Sequence, residues 1–215
     1  MKKKLCVLLA FLMLGCLFAG CSLFNDDNGG NGDGGGGSNN GAAYYKAAGE
    51  YRVGTDIDAG LYLLITDKQN ENVLSGAYYE VKASANAQVG SSDFLYNDNF
   101  YYRTYVEVTG GQYISFSSCK LYKIDNYPAV DKNAASWHSG QYKVGTDLDV
   151  GEYKLTTLKQ SDSILDSGYV EITRTPNGRI GTSDFISNDN FQNTKYITLA
   201  EGTYVEFSSA TLTKV

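Results

Sequence analysis

Val53-Gly54-Thr55-Asp56-Ile57-Asp58-Ala59-Gly60-Leu61-Tyr62 returns, 91 residues further on, as Val144-Gly145-Thr146-Asp147-Leu148-Asp149-Val150-Gly151-Glu152-Tyr153. Each stretch has a short apolar start, a glycine that permits positive φ, and an aspartate able to accept backbone N–H groups in an Asx turn. A second glycine then leads into the next apolar run, which together spells a tight reversal between two strands. The match extends well beyond this motif. Residues 49–124 align with 140–215 without a gap, and about 33 of the 76 pairs are identical. The chain therefore holds one module written twice. The matched residues are mostly Gly, Tyr, Phe, Asn and Asp, which are residues of turns and cores, and no catalytic set stands out among them.

Around the motif, apolar and aromatic residues fall in short runs at 51–53, 61–66, 77–83, 105–108, 113–116 and 121–124. The second copy repeats them at 142–144, 153–155, 169–172, 196–199, 204–207 and 212–215. Runs of this length, rich in Tyr, Val, Ile and Thr and broken by Gly, Asn and Asp, predict an all-β fold: two tandem antiparallel β-sandwich modules, jelly-roll-like, after a disordered linker. Phase agrees with this, because in Tyr113-Ile114-Ser115-Phe116 against Tyr204-Val205-Glu206-Phe207 the Ser/Glu position changes while its neighbours hold. That is the behaviour of a strand with one face toward water. The modules occupy 44–124 and 135–215, joined by a connector at 125–134. Domains this small are marginal alone, so the copies are expected to lean on each other, either as two sandwiches or as halves of one larger sandwich.

The amino terminus carries an address. Met1-Lys2-Lys3-Lys4 is followed by an apolar run at 5–18, too short for the roughly 20 residues of a permanent membrane helix, and then by Leu17-Phe18-Ala19-Gly20-Cys21. This resembles the lipobox of bacterial lipoproteins, in which small residues precede a cysteine that becomes lipidated and the first residue of the mature chain. The resemblance implies a signal peptide at 1–20, removed on export, and acylation of Cys21. The alternative is an ordinary signal peptide in which Cys21 is incidental. Two or three acyl chains would anchor the protein stably to the membrane, on its extracytoplasmic face. The stretch 25–43 is almost wholly Asn, Asp, Gly and Ser, with the lipidated segment and linker together spanning 21–43. It reads as a flexible tether with a reach of roughly 25 Å.

Composition narrows the partners. Loss of Lys2, Lys3 and Lys4 with the signal peptide moves the net charge from −6 to about −9. An acidic chain without a basic block has no footprint for nucleic acid. Cys119 pairs with Ala210 in the other copy, which predicts a small buried side chain.

Within the repeats, Val-Gly-x-Asp-Ile-x-x-Gly-x-Tyr followed by Asn97-Asp98-Asn99-Phe100 or Asn188-Asp189-Asn190-Phe191 resembles an uncharacterised repeat of surface lipoproteins and secreted proteins of Gram-positive bacteria. The resemblance covers both copies and implies an extracytoplasmic β-rich module with no known activity. Asp58 and Asp149 stand where that repeat often has proline, so a carboxylate is not required there.

Candidate sites follow from comparing the copies. Asp56-x-Asp58-x-Gly60 has the look of a calcium loop, but the twelfth position falls on Asp67 in one copy and Leu158 in the other, so turn stabilisation is the better reading and no metal is expected. Ser92-Asp93-Phe94 with Asn97-Asp98-Asn99 reads as turns between core phenylalanines, or else as a polar loop in which Asp93, Asn97 and Asp98, with Asp184, Asn188 and Asp189, hold a sugar or cation. Tyr79, Tyr96, Tyr101 and Tyr102 have no tyrosine counterparts in the second copy. They are the candidates for an exposed ligand face, since tyrosine combines apolar area with a hydroxyl. His138, the only histidine, has no counterpart, no Gly-x-Ser-x-Gly elbow exists, and the acids shared by both copies are turn aspartates plus Glu80 and Glu171. No cofactor and no catalysis are expected. The chain reads as a membrane-anchored surface protein that binds wall glycan, host glycan or protein without catalysis, or else as a structural spacer or envelope-assembly subunit.

Overall fold

The computed structural model describes residues 42–66, 76–158 and 167–215. The signal segment, the lipobox cysteine Cys21 and the tether through residue 41 lie outside the described residues. So does Asp67, the residue counted for a calcium loop.

The described residues are all-β, with 14 strands in four antiparallel sheets. In the first repeat the strands are β1 (Gly49–Arg52), β2 (Gly60–Thr66), β3 (Ala77–Lys82), β4 (Phe94–Phe100), β5 (Arg103–Val108), β6 (Tyr113–Ser117) and β7 (Cys119–Lys123). They form one sheet in the order β1-β6-β3-β4 and another in the order β5-β2-β7. The second repeat copies this with β8 (Gly140–Lys143), β9 (Gly151–Thr157), β10 (Gly168–Thr173), β11 (Phe185–Phe191), β12 (Thr194–Leu199), β13 (Tyr204–Ser208) and β14 (Ala210–Lys214), ordered β11-β10-β13-β8 and β12-β9-β14. Each repeat is thus its own two-sheet sandwich, and the two belong to one compact unit.

The repeated motif makes the reversal into β2 and β9. Gly54 and Gly145 adopt φ near +94° and +93°, and Asp56 and Asp147 accept the amide N–H four residues earlier, at 2.8 and 2.9 Å. Two further corners move the chain from one sheet to the other. Tyr102 and Ser118, with their counterparts Asn193 and Ser209, take left-handed φ between 52° and 65°, so two residues turn β4 into β5 and a single residue turns β6 into β7. The Asn-Asp-Asn block is not a turn. It lies inside β4 and β11 at the sheet edge, and its residues have no positive φ. An edge strand with Asn97 and Asn99 outward and Phe100 inward tolerates these polar residues because water meets one side.

Each sandwich has a separate core, with Val53, Leu64, Phe116 and Leu121 in the first and Val144, Leu155, Phe207 and Leu212 in the second at matching positions. Cys119 and Ala210 are both buried there. A third cluster joins the repeats. Leu63 and Tyr105, on the outer face of β5-β2-β7, pack against Tyr204 of β13, the two tyrosine rings meeting edge to face at 5.5 Å. This explains why β2 reads Leu-Tyr-Leu-Leu-Ile without alternation: it is buried on both faces. In β9 the outward positions are Glu152, Lys154 and Thr156, and that face stays polar.

Polar contacts fix the joint. Asp147, 1 % exposed, accepts from Arg103 Nη2 at 3.0 Å, from Tyr105 Oη at 2.7 Å and from Tyr127 Oη at 3.4 Å, besides its own turn amide. The Arg103 guanidinium lies over the rings of Tyr105, Tyr127 and Tyr142 at 5.5, 5.8 and 5.0 Å. Beside it, second-repeat side chains cover the free edge of β5. Gln141 Oε1 accepts from Tyr105 N at 3.0 Å, while Asn177 both accepts from Glu107 N at 3.1 Å and donates to Glu107 O at 2.8 Å. At Gly140 the approach is close enough that a Cβ would sit 2.9 Å from Arg103 O.

Asp56 and Asp147 share the turn bond but only Asp147 is buried against an arginine, so Asp147→Ala and Asp56→Ala isolate the joint. Leaving the buried Arg103 charge without its partner costs about 3 to 5 kcal/mol. Losing the exposed turn bond at Asp56 costs about 1 kcal/mol. Urea denaturation of both variants checks this, and equal losses would show that the pair does not hold the repeats together.

Candidate functional site

Where the outer face of β11-β10-β13-β8 covers the gap between β4 and β5, a cleft of about 230 Å3 remains between the repeats. From the first repeat, β3 contributes Tyr79 and β4 contributes Tyr96, Asn97 and Asp98. The second repeat supplies Tyr169 and Glu171 from β10 and Glu206 from β13, and the loop after β10 supplies Asn177 and Arg179.

Register places the acids together. Glu171 and Glu206 are directly opposite on neighbouring strands, and Asp98 reaches over from the other repeat to act on both electrostatically. Burial, with the nearby Glu171 charge, pushes the Asp98 carboxyl up from 3.8 to about 6 against the opposing Asn99 amide bond. Burial, followed by Asp98 and Glu171, drives the Glu206 carboxyl well above the usual range. Tyr169 donates to Glu171 Oε2 at 2.6 Å, and Asn188 Nδ2 donates to the Tyr169 hydroxyl at 3.3 Å. Gln141 Nε2 makes a long bond of 3.4 Å to Glu206. The Arg179 guanidinium lies 4.8 Å over the Tyr96 ring, whose hydroxyl donates to Glu107 O at 3.0 Å.

Tyr79 stands apart from these. It is 4 % exposed and packed edge to face against Tyr96 and Phe100, and its hydroxyl, which has no hydrogen-bond partner among the described residues, keeps its solvent contact at the cleft wall. Burial and the charge of Asp98 hold that hydroxyl well above the usual tyrosine range, so it remains protonated.

The structure divides the candidate residues. Tyr79, Tyr96, Asn97 and Asp98 come together in the cleft, although Tyr79 is buried rather than part of an open face. Tyr102 lines a second cavity of about 560 Å3 beside the connector, where its ring stacks on His138 at 5.0 Å. Tyr101 sits at the corner before β5, where its carbonyl accepts from Arg103 N. Asp93 and Asp184 brace the loops between β3 and β4 and between β10 and β11 by accepting from Ser84 and Thr175. Asn188 supports Tyr169, and Asp189 pairs with Lys195 at 2.6 Å.

Comparison of the copies alone did not single out Glu171, Glu206 and Arg179. The signal lay in three substitutions. Lys82 pairs with Glu50 and with Glu80 in the first repeat, whereas its counterpart is Thr173; Ser115 becomes Glu206; and Gln88 becomes Arg179. Comparison of the chain with known protein families, with curated proteins and with solved structures finds no match.

Because folding raises the Asp98 carboxyl, the folded chain holds more protons than the unfolded chain between about pH 4 and about pH 6. The contribution of this carboxyl to stability is therefore present at low pH and is lost as pH rises through about 6, with the still higher Glu206 extending the loss upward. Melting of the wild type against Asp98→Asn and Glu206→Gln across pH 4 to 8 should show each variant gaining on the wild type as pH rises. A constant difference across that range would mean the carboxyls titrate normally.

Proposed function

We propose that this chain is a lipid-anchored extracytoplasmic binding protein, held by acyl chains on Cys21, whose two repeats act together as one non-catalytic binding head with its site in the inter-repeat cleft. One observation carries the reading: to lining residues that both copies have, such as Asn97, Asp98, Tyr169 and Glu171, the cleft adds residues that they do not share, Tyr79, Tyr96, Arg179 and Glu206, against Val170, Ser187, Gln88 and Ser115. Residues needed only for folding are the ones a duplicated module keeps in both copies. A polar, tyrosine-lined concavity between packed domains is a common setting for ligand sites. The tether then presents this head away from the membrane, toward wall glycan, host glycan or a protein.

A second reading has one observation in its favour. A carboxyl raised to about 6 beside further carboxylates is the kind of arrangement general acid catalysis of glycoside hydrolysis uses. Incubation of the chain with wall glycan separates the two: binding alone releases no new reducing ends, and release that disappears in Asp98→Asn would establish hydrolysis instead.

Two measurements test the proposal itself. Cys21→Ala should move the protein from the membrane fraction to the soluble fraction. The full chain should sediment with cell-wall material, and Tyr96→Ala should weaken that retention about tenfold, the loss expected of one buried aromatic contact. Unchanged retention would remove the cleft from the account.

A further inference from the structure

The second cavity, of about 560 Å3, lies beside the connector, and a buried guanidinium forms part of its wall. Arg103 is 7 % exposed, and only Nη2 of its side chain hydrogen-bonds among the described residues, to Asp147 Oδ1 at 3.0 Å and to the Tyr105 hydroxyl at 3.2 Å. Nε is buried with no partner, the one such side-chain nitrogen or oxygen among the described residues. The tyrosine rings over the guanidinium attract its charge, but a ring face is a weak acceptor for an N–H group. Buried donors without partners are rare in folded proteins unless water or a ligand meets them.

The rest of the wall supplies a second cation and flat surfaces. Lys120 lines it from β7, and the Tyr102 ring stacks on that of His138, 5.0 Å apart and 11° from parallel. The connector adds an apolar side with Pro128, Ala129 and Val130. The module does not keep these features: Tyr102, Arg103, Lys120 and Tyr122 stand where the second repeat has Asn193, Thr194, Thr211 and Thr213. Charge then selects the guest. Asp147 already offsets Arg103 and Asp131 lines the same cavity, so a guest with two negative charges meets two carboxylates, and a monoanion suits the place better. A planar carboxylate matches the donor geometry of a guanidinium.

We propose that this cavity binds a small organic monocarboxylate built on a ring. The carboxylate accepts from the unpartnered donors of Arg103 and is attracted by Lys120, while the ring lies against the Tyr102–His138 pair and the connector. A volume of about 560 Å3 is within the range of small-molecule sites. The cavity shares no lining residue with the inter-repeat cleft, so the assignment stands apart from the function proposed for that cleft.

Isothermal titration of the full chain in detergent at pH 7.5 and low salt tests it. The probes are benzoate and glucuronate, two rings bearing one carboxylate, with benzamide and glucose as neutral counterparts and inorganic phosphate as the more highly charged anion. Saturable one-site binding of a carboxylate is expected, with weaker or no binding of the other three compounds. Binding of benzoate alone or of glucuronate alone supports the site and tells which skeleton the ring wall takes. Affinity should fall about tenfold in Arg103→Lys and in Lys120→Thr, the scale of one lost charge-assisted contact. It should fall several-fold in Tyr102→Asn, the loss of one aromatic contact, and stay unchanged in Lys154→Thr, which removes a lysine outside the cavity. Circular dichroism and urea denaturation check that each variant is folded. Lys120→Thr and Tyr102→Asn install the residues of the second repeat and leave the Arg103–Asp147 pair in place, so they decide the matter if Arg103→Lys disturbs the joint. Neutral compounds or phosphate binding as tightly as the carboxylates, folded Lys120→Thr and Tyr102→Asn binding like wild type, or no carboxylate binding would each overturn the assignment.

Discussion

The Asp147 carboxylate is the point on which the two-repeat body turns. It sits at the end of a turn that the sequence writes twice, and it accepts from a backbone amide of its own turn, from Arg103 and from the hydroxyls of Tyr105 and Tyr127. Four donors around one buried carboxylate offset the cost of removing it from water. A buried ion pair of this kind contributes less to net stability than to register, because a displaced partner leaves a charge stranded. Here register means that the outer face of one sheet lies against one edge of another, and the cleft exists only in that placement.

One motif therefore has two fates. Asp56 makes the same turn bond as Asp147 but meets solvent. The other half of the joint is likewise present once. Leu61, Leu63 and Ile65 make an apolar face in the first repeat, where the second has Glu152, Lys154 and Thr156. Arg103 is replaced by Thr194, and Tyr196, the counterpart of the buried Tyr105, is 66 % exposed. The head-to-tail contact is thus used once within the chain, and the polar outer face of the second repeat does not offer it again.

Much of this was readable from the residues. The gapless duplication, the strand periodicity and the glycine-aspartate turn gave the all-β fold and two modules, because turn φ and strand alternation are local properties. The Asn-Asp-Asn block misled, since composition favours a turn, while the edge position of β4 and β11 permits a strand. The joint was half visible. An unbroken apolar β2 against an alternating β9 signals a second buried face, yet nothing local says which surface covers it. The cleft was legible only in part for the same reason. Unmatched Tyr79 and Tyr96 stood out, but the meeting of Asp98 with Glu206 depends on how two sandwiches dock, and no spacing in the chain encodes that.

Amide hydrogen exchange read by NMR tests the docking most directly. Tyr105 and Glu107 point their N–H groups off the free edge of β5 into Gln141 and Asn177, whereas the counterpart edge of β12, with Tyr196 and Thr198, has no such side chains before it among the described residues. The account predicts slow exchange at Tyr105 and Glu107 and fast exchange at Tyr196 and Thr198, with the difference abolished in Asp147→Ala. Equally fast exchange at all four amides in the wild type would contradict it.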